Sequence, residues 1–115
     1  MIIRYALFEG TVKPGKTKEF REAVLTIILP RWKQMPGALA VRVTFAEARD
    51  EDAPEYPLIL AISYPDMATV DAALASPYRL SAKAATYEVL SQYFDGRIHH
   101  HVTEAHEYPL ISQDL

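Results

Sequence analysis

Short apolar runs and amphipathic stretches alternate along the chain, and proline and glycine mark most of the boundaries between them. Ile2 to Val12 is rich in Ile, Tyr, Leu and Phe with no breaker before Gly10, which predicts a strand buried on both faces. Lys13-Pro14-Gly15 ends it. A helix is expected from Lys16 or Thr17, with Thr17 as N-cap. Phe20, Val24, Ile27 and Ile28 share one face of it, and Lys18, Glu19, Arg21 and Glu22 cover the other. Pro30 falls inside this helix, where it forfeits a backbone hydrogen bond and crowds the preceding turn. A kink or loose last turn is therefore expected before Met35-Pro36-Gly37.

Residues 38–48 alternate cleanly, Leu39, Val41, Val43 and Phe45 against Ala40, Arg42, Thr44 and Ala46, as a half-buried strand requires. The prolines and acids between Arg49 and Pro57 predict a loop. Leu58 to Tyr64 is apolar on both faces and reads as a central strand. Asp66 is expected to cap a following helix, and Ser76 with Pro77 to open a second piece as N-cap and first helical residue. That piece runs to about Tyr93, with Leu80, Ala84, Tyr87 and Leu90 or Ser91 facing inward. Asp95-Gly96 reads as a turn opening a last strand, Gly96 to His106, which holds all four histidines. Period two places His99 and His101 on one face with Arg97 and Thr103. Ile98, His100, Val102, Glu104 and His106 lie on the other.

The order βαββαβ predicts an α+β, ferredoxin-like fold: a four-stranded antiparallel sheet in spatial order 4-1-3-2, with the helices on one face. The first and third strands, central in that order, are also the most uniformly apolar. Apart from Thr11 they offer only Arg4, Tyr5, Glu9, Ser63 and Tyr64 as polar side chains, too few to solvate an open sheet face. A homodimer through that face is therefore expected. Residues 1–106 form the single domain. The tail 107–115, with Pro109 and three large aliphatics, is expected to pack on the body or on the partner.

Composition narrows the functional classes. At 115 residues and a net charge of −3, with no basic run, the chain lacks a nucleic-acid or anionic-membrane footprint. It has no cysteine, which excludes disulfides, thiolate nucleophiles, Fe-S clusters and Cys-zinc sites. No signal-like N-terminus and no long apolar run is present, and a cytoplasmic protein is expected. A phosphate-binding glycine loop, a Gly-x-Ser-x-Gly elbow and a dinucleotide fingerprint are all missing, which points away from NTP-driven, α/β-hydrolase and NAD chemistry.

His99 and His101, two apart on one strand face, are candidates for acid and base near neutral pH, because imidazole titrates there without help. As metal ligands they lack a third partner in the sequence, and a satisfied structural or interface position is the competing reading. Arg4 and Arg42 are cations in apolar strands and need a carboxylate or an anionic ligand; Glu9 and Glu47 are the expected internal partners. Tyr5, Tyr64, Tyr87 and Trp32 are candidates to line an aromatic pocket.

Several short motifs, in order, carry a family resemblance. Val12-Lys13-Pro14-Gly15-Lys16 precedes an amphipathic helix and Met35-Pro36-Gly37-Ala38 precedes a strand. Tyr64-Pro65-Asp66 ends a strand, and Ala73-Leu74-Ala75-Ser76-Pro77 lies between helical pieces. Over residues 2–106 the chain resembles the dimeric α+β barrel superfamily, and within it the EthD-like family. That resemblance implies a homodimer whose two sheets form a barrel, with a small-molecule pocket in each protomer between sheet and helices. Relatives include muconolactone-type isomerases, small monooxygenases acting on polyketide-like aromatics, and haem-binding members. EthD-like proteins often place a histidine after a Trp near the end of the first helix. Here Lys33-Gln34-Met35 follows Trp32, so a mechanism resting on that histidine is not implied.

The expected function is a cofactor-independent isomerase, lyase or monooxygenase acting on a hydrophobic oxygenated compound, aromatic or lactone-like, with no cofactor and no metal. His99 or His101 would shuttle a proton and Arg42 or Tyr64 would stabilise an enolate, while Trp32, Tyr5, Tyr87 and Arg4 bind the ligand. A non-catalytic ligand-binding or accessory protein, and a haem- or metal-binding protein using a strand histidine, are the alternatives.

Overall fold

A computed structural model describes residues 1–111 of the chain. The first strand, β1, spans Ile2–Val12, and the third, β3, spans Leu58–Tyr64, both with the bounds their apolar runs predict. Between them lies β2, Ala40–Phe45, shorter than the expected 38–48 but with the expected alternation. The last strand, β4, spans Phe94–Glu104. All pairings are antiparallel and the order is β2-β3-β1-β4, so the two apolar strands are central as expected.

The start of β4 differs from the sequence reading. Asp95-Gly96 is no turn: the chain passes directly from helix into strand at Phe94, and Gly96 sits inside the ladder opposite Gly10. A Cβ on Gly96 would collide with the Glu9 carbonyl, and one on Gly10, whose φ is +152°, with the Asp95 carbonyl. The two glycines leave the sheet bare where the Phe94 ring lies across it. Phe94 stacks on Phe20 at 6.2 Å and meets Phe8 edge-on at 6.3 Å. Aromatic cover of facing glycines thus pins the register of β4.

The first helical stretch has three parts. Helix α1 covers Thr17–Ala23, a π-helical segment covers Val24–Ile28, and α2 covers Leu29–Trp32. Thr17 is the first helical residue rather than the cap, with Lys16 at the cap position making no side-chain bond. Phe20, Val24, Ile28 and Trp32 are all buried. A four-residue step overshoots an α-turn of about 3.6 residues, and the widened turn absorbs the overshoot, keeping all four on one face. It also turns Ile27, expected inside, out to 43% exposure. The loosened turn ends at Ile28, and Pro30, which has no donor to lose, sits in the first turn of α2.

Helix α3, Met67–Leu74, is capped as expected: Asp66 Oδ1 accepts from the Thr69 amide at 2.8 Å and the Thr69 hydroxyl at 2.7 Å. Helix α4, Pro77–Tyr93, starts at the expected proline. Ser76, however, closes α3 by donating to the Ala73 carbonyl at 2.6 Å instead of capping α4. The inner face of α4 is also rotated from the expected one. Ala82, Ala85, Thr86, Val89 and Leu90 are buried, while Leu80 and Tyr87 are 69% and 55% exposed. Small side chains let the helix lie close to its neighbours, and this overrides the preference of the larger residues for burial.

Phe8, Phe20, Val24, Ile28, Leu58, Tyr64, Val70 and Val89 fill the space between sheet and helices. On the other sheet face Ile3, Tyr5, Leu7, Ile59 and Ala61 stay partly exposed. Beyond β4 the Ala105 amide donates to the Met1 carbonyl at 2.8 Å, after which the tail leaves the body. Tyr108, Leu110 and Ile111 are at least 79% exposed, so the described part of the tail does not pack on its own protomer as one expectation had it; residues 112–115 lie outside the described part. Among the described residues no helix is long and apolar enough to cross a membrane.

Candidate functional site

The side chains of β1 alternate, so Arg4 points the same way as buried Ala6 and Phe8, toward the helices. The pairing Ala6↔His100 and Phe8↔Ile98 puts His100 on that face too, and the pairing of Arg4 with Ile62 brings in Tyr64 two residues on. Trp32 and Met35 from the end of the first helical stretch, and Arg79, Lys83, Thr86 and Tyr87 from α4, close the space from above. They enclose a cavity of about 100 Å³ with an apolar floor of Ala6, Phe8, Leu60 and Ile62.

Its polar groups are strongly one-sided. Arg4, Arg79 and Lys83 line it and no Asp or Glu does. Among the described residues none of the ion pairs involves these three cations. The expected partners of the strand arginines are engaged elsewhere: Glu9 approaches Arg97 at 3.4 Å and His99 at 2.9 Å, and Glu47 approaches Arg21 at 3.8 Å. Desolvation, and then the charge of Arg79, lower the pKa of Arg4. Burial raises the Tyr64 phenol, opposed by the same two guanidiniums. His100, on the edge strand, is an exposed residue at the cavity's border. Desolvation, followed by Arg4, Arg79 and His99, lowers its pKa to about 4, and it is neutral at pH 7.

The structure divides the sequence-based candidates between the two faces of the sheet. Arg4, Tyr64, Trp32 and Tyr87 come together around the cavity. Tyr5, His99, His101 and Arg42 lie on the opposite face, since His101 pairs with Tyr5, His99 with Leu7, and Arg42 with Ala61. There the His99 ring lies tilted to Tyr56 at 6.0 Å and meets His101 edge-on at 6.3 Å. Its Nε2 lies 2.9 Å from Glu9 Oε1 but out of line, and counts as an unsatisfied buried atom. Among the described residues no group of three or more His, Asp or Glu is placed to hold a metal ion.

The sequence points to His99 and His101 and not to His100, Arg79 or Lys83. A signal for each exists in the chain. Ile98 and Val102 flank His100 on its own face, marking that face as the apolar one. Arg79, Lys83, Thr86 and Tyr87 follow the i, i+4, i+7, i+8 spacing of a single helix stripe. A larger groove of about 1050 Å³ runs beneath the 46–57 loop. Four of its charges are paired with one another, Arg21 with Glu47 and Arg49 with Glu55, and the fifth is the exposed carboxylate of Asp50.

Comparison with solved structures shows which fold this is. The chain is similar to an ethyl tert-butyl ether d (EthD) family protein from Bacillus halodurans, with a TM-score of 0.67 at 17% identity over 92% of this chain and 99% of that one. A dimeric protein of unknown function and ferredoxin-like fold from Bacteroides fragilis matches with a TM-score of 0.62 at 11% identity, over 90% and 95%. SnoaB, a cofactor-independent oxygenase from Streptomyces nogalater, matches with a TM-score of 0.58 at 15% identity, over 93% and 94%. No protein-family model matches the sequence, and no curated protein does. The chain has a ferredoxin-like fold, and an EthD family protein and antibiotic biosynthesis monooxygenases are among the solved structures that share it.

Proposed function

We propose that the protein is a small cofactor-independent oxygenase that removes a proton from a hydrophobic oxygenated compound bound between sheet and helices. The observation that carries this is the placement of a neutral imidazole, His100, beside two unpaired guanidiniums at the mouth of an apolar cavity. His100 takes a proton from an acidic carbon or hydroxyl of the substrate, while Arg4 and the Tyr64 hydroxyl stabilise the anion left behind. With dissolved oxygen as the co-reactant, a CH₂ carbon and O₂ become a carbonyl and water: the carbon is oxidised, and the second oxygen atom leaves in the water. Trp32 and Tyr87 hold the flat faces of the substrate. The fold shared with SnoaB favours oxygenation over isomerisation or elimination.

Dimerisation through the open sheet face belongs to the same proposal. Tyr5, Leu7, Ile59 and Ala61 form a partly exposed apolar centre there, rimmed by Arg42, His99 and His101. In this reading those rim residues serve the seam between protomers.

The test is oxygen consumption with a panel of acidic phenols and 1,3-dicarbonyl compounds. A substrate is expected within the panel, and His100→Gln is expected to lose turnover while keeping the wild-type melting temperature. Full turnover by a folded His100→Gln protein would refute the role of this imidazole.

A further inference from the structure

The cations around the cavity are placed against ordinary preference. Arg79 is in the first turn of α4, which carries no acidic residue, and a cation there opposes the positive end of the helix dipole. Lys83 follows one turn later on the same stripe, where like charges repel. Arg4 sits in a central strand, partly buried, with its guanidinium answered by no carboxylate among the described residues. A bound anion would relieve all three at once.

Resting on the proposed location of the substrate site, we infer that its ligand is a compact organic monoanion, a single-ring carboxylate, whose carboxylate is held by Arg4 and Arg79 with the ring on the apolar floor. Two guanidiniums suit a planar carboxylate because each offers paired donors in its own plane. Size sets the ring count. The cavity measures about 100 Å³, and a dry cavity that accepts benzene has about 150 Å³. One ring therefore fits only with part of it standing in the mouth beside Tyr87, and a fused polycycle does not fit.

The anion has a mechanistic consequence. Desolvation, and then the pull of the Arg4 and Arg79 charges, make His100 a weak base. A carboxylate between the guanidiniums offsets that pull and moves the imidazole toward the range in which general bases work at neutral pH. The other groups facing His100 are Tyr64 from β3, Lys83 and Tyr87 from α4, and His99 beside it. None of them carries a carboxylate, so the ligand is the available source of negative charge. Substrate binding and base activation become one event, accompanied by a rise in the His100 pKa.

Trp32 lines the cavity and is the only tryptophan, so its fluorescence reports occupancy directly. Benzoate is expected to perturb Trp32 emission and to bind about tenfold or more tighter than benzamide, the factor typical of charge-assisted over neutral hydrogen bonding. Arg79→Met is expected to remove that preference without lowering the melting temperature, since it takes a cation away from a helix N-terminus. Arg4→Met should remove it as well. Benzamide binding as tightly as benzoate, inorganic phosphate matching benzoate, or a preference surviving both variants would overturn the inference. The oxygenase reading fails separately: it falls if His100→Gln keeps turnover, whatever benzoate does. Turnover confined to uncharged substrates would sink the carboxylate and leave that reading standing.

Discussion

Phe94→Ala tests how β4 is held, and with it which histidine meets the cavity. Phe94 is 5% exposed, stacks on Phe20, meets Phe8 edge-on and covers Gly10 and Gly96. Truncating a buried phenylalanine costs about 3–5 kcal/mol, because the transfer free energy is lost and the cavity closes only in part. Two aromatic pairs worth about 0.5–1.5 kcal/mol each, together with two glycines unable to fill the gap, place this site in the upper half of that range, about 4–5 kcal/mol. Against a total of about 5–15 kcal/mol the variant is close to unfolding. At about 4 °C per kcal/mol for a chain of this length, the melting temperature falls by about 16–20 °C. Urea unfolding at fixed protein concentration measures the loss, with Phe94→Leu as a control expected to lose about 1–3 kcal/mol, the worth of the two aromatic pairs, and less than Phe94→Ala. A loss below about 2 kcal/mol for Phe94→Ala, with an unchanged urea slope, would mean that the ring is not what seats the strand.

Gly96→Ala is expected to be destabilising despite the gain in strand propensity, because the new methyl meets the Glu9 carbonyl; wild-type thermal stability would contradict the close approach. His100, whose folded pKa of about 4 lies below its unfolded value of 6.5, contributes stability that is present above pH 6.5 and lost as pH falls toward 4, because the unfolded chain binds the proton more readily. With solvent screening of this exposed side chain the contribution is on the order of 1–2 kcal/mol, and melting curves of wild type and His100→Gln, alike at neutral pH, should diverge as pH falls through that window, with the wild type losing stability that the variant keeps. The proposed dimer predicts that the parent sediments as a dimer and that Leu7→Lys, in the centre of the open sheet face, sediments as a monomer at the same concentration; a monomeric parent or an unchanged mass would refute an interface on this face.

Much of the scaffold follows from local sequence alone. The bounds of β1 and β3 were legible because continuous apolar runs end at Pro14 and Pro65, and a residue buried on both faces leaves few choices of sheet position. The Asp66 cap, the start of α4 at Pro77 and the sheet order were legible for similar reasons: each depends on contacts within a few residues or on which strands are most apolar. The candidate site is different. Period two sorts the β4 histidines into two faces, but His99, His100 and His101 are chemically identical, and only the pairing of β4 with β1 decides that His100 shares a face with Arg4. The phase of α4 was likewise settled by closeness of packing, which favours Ala82 and Ala85 over Leu80 and sends Arg79 and Lys83 to the cavity. A sequence specifies which residues alternate; what each face meets is set by the elements that come to lie against it, and in this protein that choice determines which imidazole stands beside the guanidiniums.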